Sequence, residues 1–509
     1  MTGDAAVSLG ILAAFMVLAC LLGIRAGRGR RGRNGGDDLA EWSLGGRSLG
    51  FLFTLLLTAG ETYTTFSYLG AAGWAYDNGI SALYVVAYLG IGMAVSYVVA
   101  PILWTYAQRH GLHSIADIAA HRFGAPWLNT VVAVVATILV LPYIQLQITG
   151  MGVVVASVGY GAIGLGVSYL VAFGIAETFV LLSGLRGSAW VSALKDVLVL
   201  VTLAAVFVYV PLHFFGGYGE LMTRLVEQRE AWLTLPGPDD ATLGVGWFAS
   251  TVLLNAVVFC IFPPQVAGFL GAASPQVLRR NAMVLPLYQV LLFVPVVLGM
   301  AALFVVPGLG DSNQAMFELV RQAMPPWALG FVGAAGALSA IVPMAMFMLV
   351  IGTMWGPVIR GTGRAAEVRR RRLAQVVTLA AGVVALAMTY LFPNALVRLS
   401  LISYEGMAQL LPLVLLALFW RRMPVSAALA GLGAGLVVDV ALVASGNDPL
   451  GGVNAGVVAL AVNLLVVTVI TRLRPADTAE GRLAQPEAVP VGRAVGRAGR
   501  PAGGGEWST

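Results

Sequence analysis

The 509-residue chain is 59% hydrophobic and 11% charged, with a mean hydropathy of +0.86. That balance excludes a soluble enzyme and points to a polytopic membrane protein. The formal net charge of +6 reflects membrane orientation, not nucleic-acid binding. Both cysteines, Cys20 and Cys260, fall in predicted spans, so no disulfide framework is implied.

Thirteen apolar runs of about 20 residues follow one another: 6–25, 50–74, 80–105, 128–157, 162–183, 188–213, 245–270, 283–306, 328–355, 374–392, 397–420, 425–445 and 453–472. The first lacks a basic leader, and Arg25, Arg28, Arg30, Arg31 and Arg33 follow it, so it reads as a span and not a signal peptide. The positive-inside rule then puts the amino terminus outside. Every later cytoplasmic loop agrees: Arg109 and Arg122, Arg186, Arg279 and Arg280, Arg369–Arg372, and Arg421 and Arg422. The long outer loop 214–244 is acidic, with Glu220, Glu227, Glu230, Asp239 and Asp240. The carboxyl terminus falls inside, beside Arg472 and Arg474, and 476–509 reads as a disordered cytoplasmic tail.

Two of the runs are unlike ordinary spans. The second, FLFTLLLTAGETYTTFSYLGAAGWAY at 51–76, holds Gly60, Glu61, Thr62, Thr64, Thr65 and Ser67 at its centre. Unpaired carboxyl and hydroxyl groups cost several kcal/mol each in lipid, so this segment is expected to unwind inside the protein and bind a solute or ion. The seventh carries Phe262-Pro263-Pro264-Gln265, and two adjacent prolines break a helix. Other polar groups at membrane depth are Gln145 and Gln147 on span 4, Glu177, the chain's single lysine, Lys195, on span 6, Glu405, and Asp439. Glu177 and Asp439 read as pairing between helices; Gln145 and Gln147 are secondary substrate candidates, with interhelical hydrogen bonding as the alternative. Trp74, Tyr106 and Trp420 read as interfacial anchors.

Several local patterns occur together in order: WSLGGRSLG at 42–50, YLGAAGWAYDNG at 68–79, QRHGLHSIADIAAHRFG at 108–124, SGLRGSAW at 183–190 and AQLLPLVLLALFWRR at 408–422. In these the chain resembles the sodium:solute symporters over about residues 41–440, nearest the branch with bacterial monocarboxylate-type permeases. The resemblance implies an all-α membrane protein with two inverted five-helix repeats, each beginning with a broken helix, as in LeuT-like transporters. The transporter domain is then 1–475, with core repeats at about 50–213 and 245–420. Helix 1 and helices 12–13 flank the core.

By the same resemblance a sodium ion lies between spans 2 and 9, held by the carbonyls of Gly60, Tyr63 and Ala340. Two hydroxyl residues normally complete the set. Pro343 and Met344 stand there instead, and a hard cation prefers oxygen. Ser339 points about 100° away from Ala340. Glu61 sits beside the ion-binding backbone. Lys195, about two turns into span 6, is one turn beyond Ser192, where the family often has an acid. Its ammonium is placed to reach the space the sodium would fill, and lysine, unlike arginine, gives up its proton when buried. Against this stands snorkelling over about 10 Å, or pairing with Asp196.

The substrate candidates are Thr62 and Ser67 on span 2, Tyr84 and Tyr88 on span 3, Asn255 on span 7, and Tyr404 and Glu405 on span 11. The whole reads as a secondary active transporter of a small organic solute in a bacterial inner membrane, working by alternating access with sodium or protons. The alternatives are an uncoupled facilitator and a transporter-like sensor. No enzyme motif and no cofactor beyond the sodium ion is expected. The substrate stays open.

Overall fold

A computed structural model describes residues 3–28, 47, 49–238, 242–359, 364–393 and 396–474, and its regular structure is helical. Residues 42–46 of the first motif, Arg30, Arg31, Arg33, Asp239, Asp240 and the tail 476–509 lie outside the described residues, as does the side chain of Arg186.

All thirteen apolar runs fall on helices. The first is α1 (Gly3–Arg28). Span 2 is broken as expected: α2 (Phe51–Thr62) stops at Tyr63, and after Thr65 a π-helical stretch, Phe66–Gly70, leads into α3 (Ala71–Asn78). Next come α4 (Tyr84–His110), the short α5 (Ile115–Arg122), α6 (Leu128–Val158), α7 (Leu165–Phe215) and the amphipathic α8 (Tyr218–Gln228). The second broken span is α9 (Val245–Val258) and α10 (Pro263–Gly271), bent by 41°. Then follow α11 (Pro275–Gln289), α12 (Phe293–Val305), α13 (Ala315–Ala323), α14 (Pro326–Trp355) and α15 (Arg364–Leu391). The chain ends with α16 (Leu396–Ala408), α17 (Ala417–Phe419), α18 (Val425–Ala444) and α19 (Ala455–Leu473).

Among the described residues ten helical stretches are each long and apolar enough to cross a membrane, and the bent pair makes an eleventh. The shortfall against thirteen has two sources. Phe51–Thr62 and Leu165–Phe179 are shorter apolar helices, the first cut by the break. The second ends at 179, where the described side chains end, and helical backbone carries α7 on to Phe215.

The two broken spans meet. Leu49, at the start of α2, donates its N–H to the Gly271 carbonyl at the end of α10, and Ala273 donates back to Leu49. Around them α14 is buried along its whole apolar window. It carries apolar or small residues on every side, as a central helix must. Its Gly330 and Gly333 let it lie close to α1 and α6: a Cβ at Gly330 would stand 2.9 Å from the Ser8 carbonyl oxygen, and one at Gly333 2.3 Å from Val158.

Arg122, expected as a loop charge, is buried. Its Nε donates to the Ala417 carbonyl at 2.6 Å, and Nη2 donates to those of Trp420 and Arg421 at 3.1 and 3.2 Å. The guanidinium thus caps the frayed end of α17 and fixes α5 to it. Arg122→Ala is expected to lower the thermal midpoint of the detergent-purified protein, a loss of roughly 2–3 kcal/mol from hydrogen bonds made by a charged donor. Arg122→Lys should rescue little, because one ammonium cannot serve three divergent carbonyls. Tyr106, expected at the interface, is also buried, its hydroxyl 2.8 Å from His121 Nδ1. Burial and the neighbouring His110 lower the His121 imidazole from its ordinary range. Trp74 likewise packs inward, stacked on Trp247 and donating to Ser81 Oγ.

Candidate functional site

At the break in α2 the helix leaves carbonyl groups without partners, and side chains take them up. Ser67 Oγ donates to the Thr62 carbonyl at 2.7 Å and accepts from the Thr64 N–H at 2.9 Å, so it staples the unwound turn. Thr65 Oγ1 donates to Gln147 Oε1 at 2.9 Å, which ties the turn to α6. The Tyr63 hydroxyl donates to the Tyr288 carbonyl on α11.

The remaining carbonyls belong to Lys195. Its ammonium, fully buried on α7, donates to the Gly60 carbonyl and, at 2.7 Å, to that of Tyr63. Asp196 Oδ1 lies 3.6 Å away. Lys195 therefore does not snorkel. It reaches across to the broken helix, and it also pairs with Asp196. The approach is close because Gly60 has no side chain: a Cβ there would stand 2.4 Å from Ser192 Oγ and 3.6 Å from Lys195 Nζ. Glu61, the next residue, lies in the same neighbourhood.

A sodium ion does not fit this donor set. Two of its expected carbonyls accept from Lys195, positions 343 and 344 are proline and methionine, and Ser339 Oγ donates to the Ala335 carbonyl of its own helix. Ala340 is buried on α14, and no cluster of metal-ligating acids, histidines or cysteines occurs among the described residues.

One cavity adjoins the break. Glu61, Thr62 and Gln265 supply its polar groups, and Tyr88, Tyr143, Phe259, Phe262, Phe347 and Tyr404 its aromatic wall. The space open to the centre of a water-sized sphere is about 10 Å³, room for about one water, so a solute enters only when the rings part. Phe262 and Tyr404 stack with centroids 4.7 Å apart, and Tyr143 and Phe347 lie at 4.7 Å.

Three of the seven substrate candidates, Thr62, Tyr88 and Tyr404, line the cavity. The other four do not. Ser67 serves the backbone. Tyr84 packs behind Tyr88 against Trp247, and Asn255 is buried one turn before the break. Glu405 points to a different side of α16, where Asn454 Nδ2 donates to it at 2.7 Å. Gln145 donates to the Met388 and Phe392 carbonyls and Gln147 bonds Thr65, so the two secondary candidates make interhelical hydrogen bonds and neither lines the cavity. Glu177 and Asp439 were expected to pair between helices, yet both Glu177 oxygens and Asp439 Oδ1 accept no hydrogen bond among the described residues. The sequence reading missed Tyr143, Phe259, Phe347 and Gln265. Only Tyr143, next to the helix-interior Pro142, and Gln265, just past Pro263-Pro264, had a local signal.

The sodium:solute symporter family model matches residues 42–435. The uncharacterized symporter YhjB of Bacillus subtilis strain 168 is 33% identical over 91% of this chain and 96% of its own. A monocarboxylate transport permease protein of Rhizobium johnstonii is 26% identical over 92% and 97%. Among solved structures, a Na+-coupled sialic acid symporter in a substrate-bound outward-open state superposes with a TM-score of 0.75 at 15% identity, covering 92% of this chain and 98% of that one. Mhp1, a nucleobase-cation-symport-1 family transporter, gives 0.53 at 13% identity over 87% and 97%. The fold is therefore the LeuT-like fold of broken helices in inverted repeats, and the chain, a multi-pass secondary active symporter, belongs to the sodium:solute symporter family.

Proposed function

We propose that this protein carries a small organic solute across a bacterial inner membrane together with protons, Lys195 doing what a sodium ion does in sodium-coupled relatives. The observation that carries this reading is the pair of hydrogen bonds from Lys195 to the Gly60 and Tyr63 carbonyls. A protonated ammonium ties α7 to the unwound turn with charge-assisted bonds. Loss of the proton removes the charge, weakens both bonds and frees the turn to move. The groups that bear on Lys195 are Asp196 on its own helix and Glu61 on α2. Tyr63 and Tyr288 bear in turn on Asp196. The cavity beside Glu61 is the solute site. The amino terminus is outside and the carboxyl terminus cytoplasmic, a reading supported by the arginines of the odd-numbered turns.

The test is uptake into proteoliposomes of a radiolabelled panel of amines, amino acids, monocarboxylates and sugars. An imposed inward proton gradient is expected to drive accumulation of a substrate without sodium. Accumulation under a sodium gradient alone would refute proton coupling, and the relative named as a monocarboxylate permease makes lactate and pyruvate necessary members of the panel.

A further inference from the structure

The cavity's own electrostatics say which solutes it suits, and the inference rests on that cavity being the solute site. A helix amino terminus is the usual place for a carboxylate, through its free N–H groups. Here α10 begins with Pro263 and Pro264, which have no N–H, and the Val266 N–H is already bonded to the Phe262 carbonyl at 3.0 Å. The anion-binding end is therefore largely disarmed. The facing edge is the carboxyl end of α2, the negative end of its dipole, and it carries Glu61. That side chain is buried, and neither of its oxygens accepts a hydrogen bond among the described residues.

The charges nearby do not balance Glu61. Lys195 has Asp196 3.6 Å away, so of the three groups one carboxyl has no counter-charge; buried in that way it stays protonated until a cation joins it. Among the described residues the lining includes no lysine, arginine or histidine. Aromatic rings carry negative π faces, which attract cations and repel anions once the stacked Phe262 and Tyr404 part.

We infer that the transported solute bears an ammonium group, in a small amine or an amino-acid-like zwitterion, and that the Glu61 carboxylate holds it against the rings of Phe262 and Tyr404. A simple monocarboxylate has no partner here.

Thermal unfolding and calorimetric titration of the full-length detergent-purified protein test this, in potassium chloride, with n-propylamine, tetramethylammonium, alanine, propionate and lactate as probes. At least one ammonium probe is expected to bind saturably, and propionate and lactate are not. Glu61→Gln should weaken that binding by about 10- to 100-fold, the loss of a hydrogen bond to a charged group. Should Glu61→Gln not fold, Phe262→Leu keeps the apolar volume, removes one ring face and should weaken binding several-fold. Binding of propionate or lactate, binding by no ammonium probe, or ammonium binding unchanged in a folded Glu61→Gln protein would each overturn the inference. The coupling reading fails separately: ammonium binding with sodium-driven uptake sinks proton coupling alone, and lactate binding with proton-driven uptake sinks this inference alone.

Discussion

Lys195→Ala is expected to abolish gradient-driven accumulation, lowering coupled uptake by a factor on the order of 100, as the loss of two hydrogen bonds from a charged donor implies. The variant removes both bonds to the unwound turn of α2 and leaves Asp196 buried without its counter-charge. A merely structural role for Lys195 would give the same loss of stability, so the two effects must be separated. Adding Asp196→Asn to Lys195→Ala removes the orphaned charge and should return much of the thermal midpoint. Coupling should not return with it. Lys195→Arg keeps a charge that cannot be released at physiological pH, so it should hold the turn in place without carrying protons, and exchange should outlast net uptake. A double variant that regains proton-driven accumulation would contradict the assignment.

Gly299→Ala is expected to give a large loss of stability from a single methyl group. A Cβ at Gly299 on α12 would meet the Ala72 carbonyl oxygen at 2.1 Å, its carbon at 2.8 Å and its Cα at 3.0 Å. These are backbone atoms of α3, so no side chain can turn aside, and the helices must separate. Overpacking of this kind costs roughly 3 kcal/mol, and displacing α3 also disturbs the unwound turn from which it continues. Gly90→Ala is the matched control, since a Cβ there meets nothing within 4 Å. The comparison is made by thermal unfolding of the two purified variants. Equal midpoints would show that the α3–α12 contact is looser than the structure has it.

The parts of this molecule that were legible in its sequence are those where chemistry conflicts with a lipid-facing helix. A carboxylate and four hydroxyls in the middle of a span marked one break, and Pro263-Pro264 marked the other. A single lysine among twenty-nine arginines marked Lys195 (30 basic residues in all), and Pro343 and Met344 showed that the expected sodium ligands were incomplete. What depth along a helix does not reveal is direction around it. Tyr404 and Glu405 are adjacent, yet one faces the cavity and the other faces α19, because their side chains leave α16 about 100° apart. Ser67 was expected to bind solute and instead staples the backbone its own segment had unwound. Phe259 and Phe347 looked like ordinary span residues, since an aromatic ring satisfies the hydrophobic pattern whether it faces lipid, a neighbour or a solute.

The central claim is that the ammonium of Lys195 stands where a sodium ion would. The most direct measurement is the thermal midpoint of the purified wild-type protein as sodium chloride replaces potassium chloride at constant ionic strength. The account predicts no sodium-specific change across the series. A saturable rise with sodium, retained in Lys195→Ala, would contradict it.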